Sequence, residues 1–213
     1  MDTKENSLRL KIVRGADNLN IKLTDQQSEL LLRYLLLFEK WNKAYNLSAV
    51  RNVDQMVSRH LLDSLTVLPH IQSKKILDVG TGGGLPGIPL AIIFPDKKIT
   101  LLDSNGKKTR FLFQVATELN LKNVSIQNIR VEDFRPKENF DGIISRAFAS
   151  LKDMTDYCNH LLTDDGYFYA MKGLFPTEEL SAISADYKLC DCFKLHVPGE
   201  ESERNLLLIK PLR

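Results

Sequence analysis

The sequence predicts an α/β fold: a seven-stranded, mostly parallel sheet with an antiparallel C-terminal edge, helices on both faces, and an N-terminal helical extension. Three observations carry this. Residues 73–173 alternate short β-rich runs with helical segments, the pattern of a parallel sheet whose crossovers are helices. Residues 1–72 show helical spacing of apolar side chains instead. Residues 174–213 break the alternation with two strand-like runs joined by a short turn, and strands joined in that way are antiparallel. The chain therefore divides into a helical extension or cap over 1–72 and a ligand-binding domain over 73–213.

In the extension, Thr24 with Gln27 three residues later forms a capping-box pattern that opens a helix running to about Tyr45. Leu30, Leu31, Tyr34, Leu35, Phe38, Trp41 and Tyr45 fall on one face of it. A second helix opens near Asp54 and stops before Pro69, because the residue preceding a proline is pushed out of the helical region. In the body, KKILDV, KKITLLD, NVSIQNI, DGIISRA and GYFYAMKG are the expected strands, separated by LPGIPLAIIF, GKKTRFLFQVATELN and LKDMTDYCNHLL. A short helix near Pro176–Asp186 precedes the last two strands, KLCDCFKLHV and RNLLLIKPL, with Pro198 and Gly199 in the turn between them.

Composition narrows the function. The 213 residues are 43% hydrophobic, enough for a substantial core. The net charge is only +2, yet residues 1–75 carry 12 Lys/Arg against 8 Asp/Glu while the remainder is slightly acidic, which hints at a polyanionic partner for the front of the molecule. An ordinary solvated surface is the competing explanation. Three cysteines without a CxxC pair argue against a disulfide framework or a zinc site and suit a reducing compartment; no metal is expected. There is no apolar stretch of signal-peptide or membrane-span character, so a soluble, cytoplasmic protein is expected.

The chemistry concentrates in LDVGTGGGLPG, residues 77–87, between the first expected strand and the first helix of the body. Gly80, Gly82, Gly84 and Gly87 permit a sharp turn and close approach to a ligand, and the loop ends at a helix N-terminus that favours anionic groups. Gly82–Gly87 spells G-x-G-x-x-G, which alone is a weak dinucleotide signal. Asp78, two residues before the first glycine, would repel a pyrophosphate but can face a cationic amine. A nucleoside bearing an amino acid, with both an ammonium and a carboxylate, fits better. Asp103 closes the second strand at the usual station for a ribose-binding carboxylate, a cap on the next helix being its competing role. In RVEDF, Val131 can pack on an adenine ring while Glu132 bonds its edge. Arg146 follows the fourth strand, where ligands of open α/β sheets bind.

If that nucleoside donates a methyl group, the residues also bear on the acceptor. Exocyclic-amine methylation commonly uses an Asn/Asp-Pro-Pro-aromatic turn after the fourth strand; here Ser145-Arg146-Ala147-Phe148 stands instead. Pyrimidine C5 methylation needs a cysteine nucleophile, and no cysteine sits at a suitable strand end. A ring nitrogen with a free lone pair, such as guanine N7, needs no general base, so none is assigned; Arg146 and Phe148 are the acceptor-side candidates, Phe148 as a stacking ring. His60, Asp63 and Ser64 lie at i, i+3 and i+4 of one helix, a spacing that suits buried polar packing or RNA contact rather than a hydrolytic triad. In KWNKAYNLSAVR, Lys40, Lys43 and Arg51 interleave with Trp41 and Tyr45, so charges can hold phosphates while a ring stacks a base, or the rings can close the core of the cap.

Six stretches together resemble the family of the bacterial small-subunit ribosomal RNA methyltransferase G, also called glucose-inhibited division protein B. They are KWNKAYNLSAVR, RHLLDS, LDVGTGGGLPGIPLAI, TLLDSNGKKTRFL, FDGIISRAFASL and YAMKG, with a fainter echo in ERNLLLIK. The resemblance implies a class I, Rossmann-like methyltransferase fold, S-adenosylmethionine as cofactor, and methyl transfer to guanine N7 of 16S rRNA in the small ribosomal subunit or a precursor. It implies cofactor contacts at Gly80, Leu85, Val131, Glu132 and Arg146, and RNA-side or acceptor-side roles for Lys172 and Arg204. A monomer is expected. Two other readings stay open on the sequence: a nicotinamide-dependent oxidoreductase, from the literal glycine pattern, and a non-catalytic RNA-binding assembly factor.

Overall fold

A computed structural model describes residues 3–146, 148 and 150–212. Ala147, part of the turn after the fourth strand, lies outside the described residues. The extension begins with α1 (Thr3–Asn18), a helix within the zone expected to be helical, which buries Leu8, Ile12 and Ala16. Helix α2 (Asp25–Tyr45) opens on the expected capping box: Thr24 Oγ1 accepts from Gln27 N at 3.1 Å, and Thr24 N donates to Gln27 Oε1 at 3.0 Å. It ends on Asn46 in the left-handed region, φ 54°, a conformation asparagine tolerates better than most residues.

The second expected helix is present but irregular. It comprises α3 (Val53–Met56), a π-helical segment Val57–Leu62, and α4 (Asp63–Leu65). An inserted π turn widens the helix and rephases the side chains that follow.

Seven strands follow: β1 (Lys75–Val79), β2 (Lys98–Leu102), β3 (Val124–Gln127), β4 (Phe140–Ser145), β5 (Leu162–Lys172), β6 (Tyr187–Leu195) and β7 (Arg204–Pro211). The connecting helices are α5 (Gly87–Ile93), α6 (Gly106–Glu118), α7 (Leu151–Cys158) and α8 (Thr177–Ser181). The sheet order is β3-β2-β1-β4-β5-β7-β6, parallel from β3 to β5, with β7 antiparallel to both neighbours. The expected antiparallel edge is therefore present, β7 lying inside and β6 at the rim.

Successive residues of the central strands bury on opposite faces, as a two-residue repeat requires. Ile76, Ile144, Tyr169 and Leu208 join one core, shared with α5, α6 and the extension through Leu31, Phe38, Leu61 and Phe111. Leu77, Ile143, Phe168 and Leu207 join the other, closed by Leu151, Met154 and Cys158 of α7. The extension thus covers one face of the sheet. The strand order reverses at β1 and β4, and the crevice beyond their carboxyl ends is where open α/β sheets bind ligands.

Candidate cofactor and acceptor site

The turn leaving β1 runs from Gly80 to Pro86, and Gly80, Gly82 and Gly84 have φ of 65°, 59° and 90°. Side chains rarely adopt these angles. Gly87 answers a different need, close approach: a Cβ there would lie 2.2 Å from Leu101 Cδ2 and 2.7 Å from Asp78 Oδ2. Without it, the first turn of α5 could not settle onto the end of β1.

Asp78 ties this turn together from below. Its Oδ2 accepts from Thr81 Oγ1 at 2.6 Å and from Gly87 N at 2.8 Å, at the positive end of α5. Its Oδ1 is buried without a hydrogen-bond partner. Burial raises the carboxyl to a pKa of about 7, although the Thr81 and Gly87 bonds and the Arg146 charge pull it down. The sequence places Asp78 opposite an amine; the structure buries it completely and gives it a loop-bracing task instead.

Asp103 is buried just past β2. Its Oδ2 accepts from Gly82 N at 2.9 Å and lies 3.5 Å from Lys108 Nζ, and its Oδ1 accepts from Asn105 N at 2.8 Å. Asn105, not Asp103, caps α6 through Lys107 N. Each carboxylate oxygen keeps a lone pair for further donors.

These elements border a cleft of about 360 Å³ lined by Gly80, Asp103, Val131, Glu132, Phe148 and Tyr157, with Val79, Leu102 and Ile129 as apolar wall. The volume is in the range of small-molecule sites. The set fits a nucleoside, with an acid at the ribose station and apolar residues for a ring. Gly82, Gly84, Leu85 and Asp78 are not part of the wall; they shape the turn behind it. Phe148 lines this cleft and packs against the second core, whereas Arg146 lines a different cavity.

Arg146 lines a second cavity, of about 220 Å³, with Asp63, Met171, Lys172, Gly173, Leu195, Arg204 and Asn205. Here the structure gathers what the sequence scatters. Asp63 is 3% exposed, with Oδ2 3.1 Å from Arg146 Nη1 and Oδ1 3.1 Å from Arg204 Nε. Lys172 pairs with Glu179 at 2.8 Å. The triad-like spacing of His60, Asp63 and Ser64 is packing: His60 Nε2 meets Ser48 Oγ at 2.9 Å, Ser64 Oγ donates to His60 O at 2.6 Å, and Asp63 turns to the arginines. Burial lowers the His60 pKa and favours its neutral form.

The front candidates divide. Lys40, Lys43 and Tyr45 are exposed, and Lys43 pairs with Glu39 at 3.1 Å. Trp41 is half-buried and packs on the core, with its ring 4.9 Å from Tyr45. Arg51 finishes α2: its Nη1 donates to Asn42 O at 2.8 Å, and its Nη2 donates to Asn46 Oδ1. Sequence reasoning missed the partnership of Asp63 with both arginines, and Thr81, Ser104 and Tyr157. Thr81 lies within the quoted loop; nothing local marks Tyr157.

Solved structures similar to this chain share the fold. One is TYW2 from P. horikoshii in complex with MeSAdo, with a TM-score of 0.56, 15% identity, and coverage of 71% of this chain and 62% of that one. Coclaurine N-methyltransferase bound to N-methylheliamine and SAH also has a TM-score of 0.56, at 13% identity, over 90% of this chain and 72% of that one. The sequence relatives are far nearer. The ribosomal RNA small subunit methyltransferase G of Cellvibrio japonicus (strain Ueda107) is 56% identical over 209 residues, covering 96% of this chain and 95% of that protein. Its namesake from Ectopseudomonas mendocina (strain ymp) is 54% identical over 202 residues, 94% of each. The GidB family model, described as rRNA small subunit methyltransferase G, matches residues 27–207, which include both cavities. With a glycine turn braced on Asp78 and a second cavity closed by β7, the chain belongs to the rRNA small subunit methyltransferase G family.

Proposed function

We propose that this chain transfers a methyl group from S-adenosylmethionine to N7 of a guanine in 16S rRNA. The observation that carries the proposal is a pair of cavities, one suited to a nucleoside and lined by Phe148, the other cationic and lined by Arg146, two positions earlier in the chain. The cofactor, when bound, supplies an electrophilic methyl group on a positively charged sulfur. Everything else falls to the chain. Asp103 accepts the ribose hydroxyls, Val131 packs on the adenine, and Glu132 bonds its edge. Gly80 would border the amino-acid end, and Asp78, Gly82, Gly84 and Leu85 hold the turn behind it.

Guanine N7 carries a lone pair and no proton, so the chain has no base to provide. Its work is alignment and exclusion of water, and good alignment is worth on the order of 7–11 kcal/mol. The second cavity is lined by Arg146, Lys172 and Arg204, with Asp63 paired to both arginines and Glu179 to Lys172, so three cations meet two carboxylates. Such an excess of positive charge suits the anionic backbone of the target nucleotide better than the methylated base, which is itself cationic. Arg146 therefore serves the RNA side through the Asp63 pair, and its charge also favours the ionised form of Asp78.

Residues 1–72 act as a cap that carries RNA contacts at Lys40, Trp41, Lys43 and Tyr45, and 73–213 as the transfer domain. Arg51 contributes chiefly by holding the end of α2. No helix among the described residues is long and apolar enough to cross a membrane. A cytoplasmic monomer acting on the small subunit or its precursor is part of the proposal.

Mapping methylation on 16S rRNA from cells with and without the gene tests this. One N7-methylguanine should vanish on deletion and return with the wild-type chain. Unchanged modification favours an assembly factor. Calorimetry that detects NAD but not S-adenosylmethionine favours an oxidoreductase.

A further inference from the structure

The glycine turn is held from behind by the extension. Tyr34 of α2 is 1% exposed, and its hydroxyl donates to Gly83 O at 2.6 Å. Burial pushes the phenol well above its usual pKa, so it remains a donor. Phe38, one turn further along, fills the space over the same residue: a Cβ on Gly83 would lie 2.2 Å from Phe38 Cε2. Tyr34, Phe38, Trp41 and Tyr45 follow at helical spacing and form one stripe. Their rings touch in series with Phe111 of α6. The centroid distances are 6.0 Å for Tyr34–Phe38, 5.8 Å for Phe38–Phe111, 5.5 Å for Trp41–Phe111 and 4.9 Å for Trp41–Tyr45. The stripe starts at the backbone of the turn and ends at Tyr45, which is 47% exposed on a surface that also displays Lys40 and Lys43.

We propose that Tyr34 and Phe38 are positioning residues for the cofactor turn, and that the aromatic stripe of α2 couples occupancy of the cofactor cleft to the RNA-facing end of the same helix. Gly83 cannot shift without breaking a buried hydrogen bond or meeting the Phe38 ring, and closely packed interiors transmit such displacements. Coupling of this kind is reciprocal: whatever cofactor does to RNA affinity, RNA does to cofactor affinity. The inference rests on the assignment of the glycine turn as the cofactor cradle.

Tyr34→Phe removes one hydrogen bond and keeps the ring. A turn that spends less time in its binding shape binds more weakly in proportion, so calorimetry should show roughly tenfold weaker S-adenosylhomocysteine binding. Hydrogen exchange at the amides of residues 80–85 should accelerate. Trp41, the single tryptophan, should change its emission when S-adenosylhomocysteine binds the wild-type chain and respond less in Tyr34→Phe. Phe38→Leu, which retains the Tyr34 bond, should show the same three changes in weaker form and serves if Tyr34→Phe does not fold. A folded variant with wild-type affinity and wild-type exchange in the turn overturns the proposal, even with a lowered melting temperature, because that is the outcome of plain core packing. Gly84→Ala separates the two assignments. If it too binds normally, the turn is not the cradle; if it loses binding while Tyr34→Phe does not, only the coupling fails.

Discussion

The two cavities are built in opposite ways. The first cleft, the proposed cofactor site, has one edge made by a short turn: Asp78 braces that turn, accepting from Thr81 and Gly87 within ten residues of sequence, and Asp103 waits at the end of the next strand. The second cavity has no such segment. Asp63 comes from the extension, Arg146 from just past the end of β4 and Arg204 from the start of β7, the two partners of one of its bonds standing 141 positions apart in sequence. The turn's own shape is set locally, by glycine angles and the Asp78 bonds, with Tyr34 and Phe38 backing it from the extension. A site assembled from distant elements depends on the whole sheet and cap being in place.

The sharpest way to break that contrast is inside the turn. Gly84→Ala forces a side chain into φ 90° and against Ile88 Cγ1 at 2.5 Å. Strain and overpacking together should cost roughly 2–4 kcal/mol and abolish cofactor binding, measured by urea unfolding and calorimetry. Near-native stability and affinity would mean the turn is far more tolerant than its angles imply.

Asp63→Ala attacks the assembled site. It should cost roughly 1–3 kcal/mol, less than a fully buried pair, because the Arg146 and Arg204 side chains are 29% and 31% exposed and regain water. Cofactor affinity should change little while the KM for the small subunit rises. Equal losses of cofactor and RNA binding would show that the two cavities are one unit.

A pH series separates them more finely. The Asp78 pKa of about 7 lies above its ordinary 3.8, so the folded chain keeps a proton that the unfolded chain has lost. Its contribution to stability therefore falls as pH rises from about 4 to about 7 and is level beyond, and Asp78→Asn should flatten that slope in thermal melts. Cofactor affinity should climb as the carboxylate ionises, while the chemical step at saturating cofactor stays flat near neutrality. A kcat that titrates with Asp78 would make it a base and contradict the N7 mechanism.

The smallest effect is expected at Arg51→Ala. Loss of its bonds to Asn42 O and the Asn46 side chain should cost roughly 0.3–1 kcal/mol in unfolding experiments. The salt dependence of RNA binding should stay almost as in the wild type, whereas removing Lys40 should lower the slope by about one. A drop of that size for Arg51→Ala would return it to the RNA surface.

The sequence by itself determined the sheet, its antiparallel edge, the capping box at Thr24 and the glycine turn with its acid. Each of these is written in residues a few positions apart, where two- or four-residue repeats, caps and turn angles act directly on the backbone. Only the tertiary structure decided that Asp63 belongs with Arg146 and Arg204 rather than with His60 and Ser64, that Phe148 lines the first cleft, that Arg51 ends a helix, and that Tyr34 reaches Gly83. A π turn, a register between β5 and β7, and the docking of α2 on the sheet set those neighbours. None of the three leaves a periodic trace in the chain, because each is settled by how separate elements bury their faces against one another.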